Sequence, residues 1–207
     1  MKVVVFGAGR VGTSLVRFLE GKKSMDITVV DSEKKVCDIL ASDSNVQVIC
    51  GDATDPALLD DLKLGKCDFV FAVTGSEEVN FLTSVYAKQA DSKKVISRAS
   101  EPKYSKLMEK LGIEPLIPEY TLARELANMV ISPAISKLLD PGYSHVDLLE
   151  YDVGSDLADI SVPDAEKKKK FIIVSIYENG EFLAPGPGLV LKKGMKIVVL
   201  KYNQSPL

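Results

Sequence analysis

Directly after the β-branched run KVVVF stands the loop GAGRVG, with Gly7, Gly9 and Gly12 in G-x-G-x-x-G spacing and Arg10 between the last two. Glycines in this spacing, between a strand and a helix, let main-chain N–H groups close on a phosphate. Gly7 is expected to permit the tight turn, Gly9 the close approach of backbone to ligand, and Gly12 the packing of helix on sheet. Ala8 and Val11 complete the loop. Arg10 has a use that structural glycines do not explain, because its guanidinium can reach a terminal phosphate. Asp31 ends the second apolar run, 19 residues beyond Gly12, with Ser32 beside it. A carboxylate there accepts hydrogen bonds from ribose hydroxyls and disfavours a 2′-phosphate. The competing reading of Asp31 is an ordinary helix N-cap. NAD, ATP, ADP and AMP remain as candidates, and NADP is a poor one.

Two further loops belong on the same edge. GDATD, residues 51–55, offers Asp52 and Ala53 to an adenine ring; TGS, residues 74–76, places Thr74 and Gly75 at the end of another apolar run. Both also carry helix caps, Thr54 or Asp55 before Pro56 and Ser76 before Glu77, and the two roles are compatible. Arg98, closing a fifth run, is a second cation for the same place.

Groups for catalysis are scarce. His145 is the single histidine and reads as a turn or strand-start residue. No Ser-His-Asp set can be assembled and no HExxH pattern occurs, so neither catalytic nor metal residues are assigned. Cys37, Cys50 and Cys67 lack CxxC spacing and read as reduced, buried thiols. The nucleotide therefore reads as a signal rather than a reagent, and the chain as no enzyme.

The elements that position these residues follow from hydrophobic period. Strands at Val3–Phe6, Ile27–Val30, Val46–Ile49, Phe69–Val73 and Val95–Ser97 alternate with helical patterns at Val11–Glu20, Lys34–Leu40, Pro56–Leu62, Val79–Ala87 and Pro102–Leu111. Such alternation implies an α/β fold, a doubly wound parallel sheet of Rossmann type, with ligands at the strands' carboxyl ends. A long helix is expected over Glu119–Leu139, kinked at Pro133. DPG at 140–142 stops it, and β-type runs follow at Val146–Val153, Phe171–Tyr177 and Lys196–Tyr202, with turns at 179–180 and 185–188. The expected domains are a nucleotide-binding domain over 1–118, a connecting and dimerisation helix over 119–142, and a small α+β domain over 143–207. Lys167–Lys170 reads as a solvated loop before a strand.

The 207 residues are 46% hydrophobic and carry a net charge of −3. The first supports real cores, and the second gives no basic field for a nucleic-acid partner. The first apolar run is too short for a signal peptide or for the ~20 residues of a membrane span, so a soluble cytoplasmic chain is expected.

Together, VVVFGAGRVG, the Asp31 strand end, GDATDP, FVFAVTGSEEVN and VISRASEP resemble the RCK domain, the regulator-of-conductance module of potassium transport proteins. DVGSDLADISVP, FIIVSIYENGEFLAPGPG and KKGMKIVVL resemble its C-terminal lobe. The resemblance covers about residues 2–202, in the order of a single-unit Trk/Ktr-type regulatory subunit. It implies a nucleotide-sensing protein built of dimers, in an octameric ring, at the inner face of the membrane. The implied partner is a membrane-embedded potassium- or cation-translocating subunit. It also implies ligand roles for Gly7, Gly9, Arg10 and Gly12 at the phosphates, Asp31 at the ribose, Asp52 and Ala53 at the adenine, and Thr74 and Gly75 in the fourth-strand loop. Arg98 and Glu119 match positions lining the site and the dimer contact. Met195 departs from the family's usual GlyAsp, so the C-terminal lobe need not bind a small ligand. The alternative clients are a cation/proton antiporter or a potassium channel; the alternative class is a small NAD-dependent oxidoreductase.

Overall fold

A computed structural model describes residues 1–20, 24–133, 135–136 and 146–202. The chain divides into two compact units, Met1–Ala123 and Arg124–Leu207.

In the first unit, β1 (Lys2–Phe6), β2 (Asp26–Asp31), β3 (Gln47–Cys50), β4 (Phe69–Ala72), β5 (Lys94–Arg98) and β6 (Glu114–Leu116) form one sheet in the order β3-β2-β1-β4-β5-β6. Every pairing is parallel. The helices are α1 (Arg10–Leu19), α2 (Lys34–Asp43), α3 (Pro56–Asp61), α4 (Glu77–Gln89) and α5 (Pro102–Lys110).

Successive strand residues point to opposite faces, and β1 uses both. Val3 and Val5 enter a core with Val16 of α1 and Leu40 of α2. Val4 and Phe6 enter another with Leu59, Ala87 of α4 and Met108 of α5. Strands buried on both sides have no solvent face to alternate with, which explains the near-continuous apolar run of β1. The chain leaves the β3 side after α2 and α3 and resumes beside β1 at β4. The strand order therefore reverses between β1 and β4, where a crevice opens at the carboxyl ends.

The structure departs from the sequence expectation in several places. It adds β6, a three-residue edge strand containing Pro115, and edge strands tolerate the missing N–H. The long helix divides. α6 (Pro118–Ile131) ends before Ser132, and Pro133 opens the next helical residues, since its ring cannot donate to the preceding turn. Leu138, Leu139, the turn at 140–142 and His145 lie outside the described residues. Cys37 and Cys67 are buried as expected, but Cys50 is exposed, because it ends edge strand β3 where the chain turns into the 51–55 loop.

The second unit contains a four-stranded antiparallel sheet in the order β7-β10-β8-β9, from β7 (Val146–Asp152), β8 (Ile172–Glu178), β9 (Glu181–Leu183) and β10 (Lys196–Tyr202). Its core gathers Val153, Phe171, Ile173, Ile176, Leu191 and Ile197. Here α7 (Val162–Lys169) replaces the expected loop at Lys167–Lys170. Ser161 caps α7 by accepting from Asp164 N–H, and three lysines in the last turn meet the negative end of the helix dipole. Lys170, in the left-handed region at φ 55°, ends it. Met195 is buried in this core and its sulfur accepts from Lys192 N–H.

Candidate functional site

A cleft of ≈ 820 Å³ opens at the carboxyl ends of β1, β2 and β4. It is lined by Gly7, Gly9, Arg10, Val11, Asp31, Ser32, Asp52, Ala53, Thr74, Gly75 and Arg98, together with Val30, Glu33, Val73, Ser76, Val79 and Pro118. All lie in the first unit. Of the residues expected from sequence, Ala8, Gly12 and Glu119 do not line it.

The glycines divide by what surrounds them. Gly7 has φ +101°, and a Cβ there would meet main-chain atoms of Thr74 at 2.8 Å. A Cβ on Gly12 would lie 1.8 Å from the carbonyl oxygen of Gly7. The fold itself forbids a side chain at both. Gly9 is different: its backbone is extended, and a Cβ would meet nothing within 4 Å. Gly75, across the cleft, is equally open. The protein leaves these two positions bare where they face the cleft, a cradle that suits an approaching ligand.

Gly9 is also the N-cap of α1. The first N–H groups of a helix have no intrahelical acceptor and carry the positive end of its dipole. The first turn of α1 contains no acidic side chain, so nothing of its own neutralises that end. Arg10 is exposed on the same turn, with no ion-pair partner among the described residues. The sum is a patch of positive potential at the mouth of the crevice.

Asp31 is fixed by main chain. Its Oδ2 accepts from Ala8 N–H at 2.7 Å and its Oδ1 from Glu33 N–H at 2.8 Å. The Ala8 N–H is therefore spent inside the protein, which explains why Ala8 positions the site without lining it. Each carboxylate oxygen retains a lone pair for a ribose hydroxyl. The N-cap reading fails in its simple form, since α2 starts after Glu33. Asp31 instead holds the turn that leads into the helix.

Asp52 accepts from both N–H and hydroxyl of Thr54 at 2.8 Å, and these bonds hold its carboxyl below the usual range. The next residue, Ala53, is buried at the cleft wall. Asp55 caps α3, and Ser76 caps α4. Arg98 Nη2 stands 4.0 Å from Glu119 Oε1 at the start of α6, a contact at the limit of an ion pair.

Sequence reasoning misses Asn80. Its side chain, 2% exposed in α4, accepts from Thr74 N–H and lies 2.8 Å from the Thr74 hydroxyl. Its Nδ2 donates to the carbonyls of Thr74 and, at 3.4 Å, Arg98. One amide thus ties the β4 loop to the end of β5. The available signal is an amide four residues after the Ser76 cap, on the face a helix turns inward.

A second hollow, ≈ 680 Å³, lies at the amino ends of β2 and β3 among Arg17, Glu20, Asp26, Asn45 and Gln47. It receives the carbonyl end of α1, the wrong polarity for a phosphate.

The sequence matches the TrkA-N domain over residues 3–119, more than half its length. The chain belongs to the TrkA-N family. A Trk system potassium uptake protein TrkA homolog of Methanothermobacter thermautotrophicus is 33% identical to it over 97% of this chain and 93% of that one. TrkA homolog 2 of Methanosarcina mazei is about twice as long; the match is 26% identical and covers 99% of this chain but 46% of that protein. The GsuK RCK domain superposes with a TM-score of 0.50 at 17% identity, covering 98% of this chain and 44% of that one. A GsuK channel bound to NAD gives the same TM-score and identity, over 98% and 36%. The RCK resemblance read from the TrkA-N sequence therefore holds, and at these identities the structures speak for the fold.

Among the described residues, no helix of this TrkA-N protein is long and apolar enough to cross a membrane.

Proposed function

We propose that this chain is a nucleotide-sensing regulatory subunit of a potassium or other cation transport system. The observation that carries this reading is the bare Gly9 at the cap of α1, facing a cleft that the Asp31 carboxylate also lines. A diphosphate would sit on the free N–H groups of the first turn, and the ribose would take the Asp31 oxygens. The adenine would lie against Ala53 beside Asp52. Thr74 and Gly75 border the remaining space, and Arg10 is placed to meet any terminal phosphate. The ligand is an adenine nucleotide, ATP/ADP or NAD/NADH. When bound, it supplies a charged, rigid group that favours whichever conformation of the protein holds it best.

The cleft binds rather than reacts. Its charged groups, Arg10, Asp31, Glu33, Asp52 and Arg98, are of the types that hold phosphates and ribose hydroxyls. A bound signal must act on something else, and the TrkA relatives, named for potassium uptake, indicate a membrane-embedded translocating subunit as the partner.

Self-association has its own support. No residue of α6 is buried, and Leu122, Leu126, Met129, Val130 and Ile131 are exposed on it. An apolar helix of this kind is covered by a second copy, giving a dimer and, by repetition, a ring. The protein would then act at the inner face of the membrane through its partner, with 1–118 as sensor, 119–142 as connector and 143–207 as second lobe.

The test is potassium uptake by cells lacking this chain, complemented with wild type or a Gly9→Val variant. Nucleotide-dependent uptake restored by wild type alone is expected. Equal restoration by both variants would overturn the reading.

A further inference from the structure

Cys50 ends β3 in register with Asp31 of β2, and Cys37 lies in the first turns of α2, which packs over the same strands. The two thiols converge on consecutive carbonyls. Cys37 Sγ donates to the Asp31 carbonyl at 3.3 Å, and Cys50 Sγ approaches that of Ser32 at 3.9 Å. One thiol is buried and the other exposed. The two thiols are close enough for a side-chain hydrogen bond between Cys37 and Cys50. Cys67, on the far side of β1, is fully buried and remote from both in the sheet order.

We propose that Cys37 and Cys50 are a redox modification site, closing to a reversible intrachain disulfide beside Asp31 when the protein meets a peroxide. Exposed Cys50 reacts first. Its thiolate attacks one peroxide oxygen, the O–O bond breaks, and the leaving oxygen departs as water, so that Cys50 becomes a sulfenic acid. Cys37 then loses its proton as its sulfur attacks that of Cys50. The hydroxide expelled takes the proton and leaves as a second water. Two thiols have lost two electrons in all, and one peroxide has become two waters. The order of attack follows from the environments: burial and the adjacent Cys50 push the Cys37 thiol up to about 11, so Cys37 is the poorer initial nucleophile. A thiol reductant reverses the bond by exchange.

The pair is convenient to assay, because the tryptic peptide Val36–Lys63 holds both cysteines and excludes Cys67. The whole protein is treated with one equivalent of hydrogen peroxide, free thiols are capped with a maleimide, and the digest is weighed without reduction. The expected result is a Val36–Lys63 peptide lacking two hydrogens and carrying no maleimide, with Cys67 unoxidised, reverting on dithiothreitol. Cys37→Ser should instead leave Cys50 as a sulfenic or sulfinic acid. The wild-type mass alone decides the matter if a variant folds poorly. A Cys50 that over-oxidises while Cys37 takes maleimide, a Cys50 to Cys50 bond between two chains, or a peptide left with both thiols free would each overturn the proposal. None of these outcomes depends on whether a nucleotide binds.

Discussion

Asp31 Oδ2 accepts a hydrogen bond from Ala8 N–H at 2.7 Å, so the carboxylate at the end of β2 and the glycine loop at the end of β1 are one unit. The carboxylate proposed to hold the ribose thus also braces the turn proposed to hold the phosphate. Asp31→Ala should therefore weaken binding of ATP, ADP and NAD(H) by about 1–3 kcal/mol, the range for losing charge-assisted hydrogen bonds. It should also lower the melting temperature, because Ala8 N–H is left without its acceptor. Calorimetric titration and a thermal melt on the same sample separate the two effects; unchanged affinity would remove Asp31 from the ribose.

The glycines give a sharper contrast. Gly12→Ala forces a methyl group to within 1.8 Å of the Gly7 oxygen and should destabilise the first unit by about 1–3 kcal/mol or more. Gly9→Ala meets no protein atom and should leave stability within about 1 kcal/mol of wild type. Chemical denaturation reads both. A larger substitution, Gly9→Val, should preserve the fold while blocking nucleotide.

Asn80→Ala removes the acceptor of Thr74 N–H and the donors to Thr74 and Arg98 carbonyls. With the amide buried, orphaning these groups should cost about 1–3 kcal/mol in denaturant unfolding. Nucleotide affinity should fall as well, since the β4 loop loses its anchor. Loss of neither would make Asn80 an incidental packing residue.

Val130→Glu combined with Ile131→Glu places charge on the two most exposed apolar positions of α6, at 83% and 77%. Light scattering should report at least a dimer for wild type and a smaller species for the double variant. A wild-type monomer at micromolar concentration, with or without nucleotide, would contradict the proposed dimer.

The features legible in the sequence are those whose cause is local. The run Val3–Phe6, the glycine spacing and Asp31 at a strand end are written within a few residues of one another. The features that escape depend on distant partners or on little sequence at all. β6 and β9 are three residues each and exist because a neighbouring strand offers its edge. Asn80 looks like any helix amide until β5 brings Arg98 beside it. α7 carries no apolar stripe beyond Val162 and Ala165, and it is set by the Ser161 cap and the core beneath. Pro133 does disturb its helix, but the helix ends before it instead of bending through it. The exposure of Cys50 is hidden because VQVIC reads as buried, whereas β3 is an edge strand.

In the proposed sensor, Arg10 is the residue that would distinguish one nucleotide from another. A ligand shifts an equilibrium only by its differential affinity for the two states, so a group that detects one phosphate matters more to switching than to adenosine recognition. Arg10→Ala should narrow the preference for ATP over ADP and leave ADP affinity within about 1 kcal/mol, a modest change for an exposed contact. If NAD and NADH bind and ATP does not, Arg10 loses this role while the sensing account stands.

The most direct measurement is a calorimetric panel of ATP, ADP, NAD, NADH and NADP on the purified protein, with each mixture assayed for hydrolysis or oxidation. The account predicts saturable binding of at least one nucleotide with free ribose hydroxyls, weaker binding of NADP than of NAD, and no sustained turnover. NADP binding as tightly as NAD, no binding at all, or multiple turnovers per minute would contradict it.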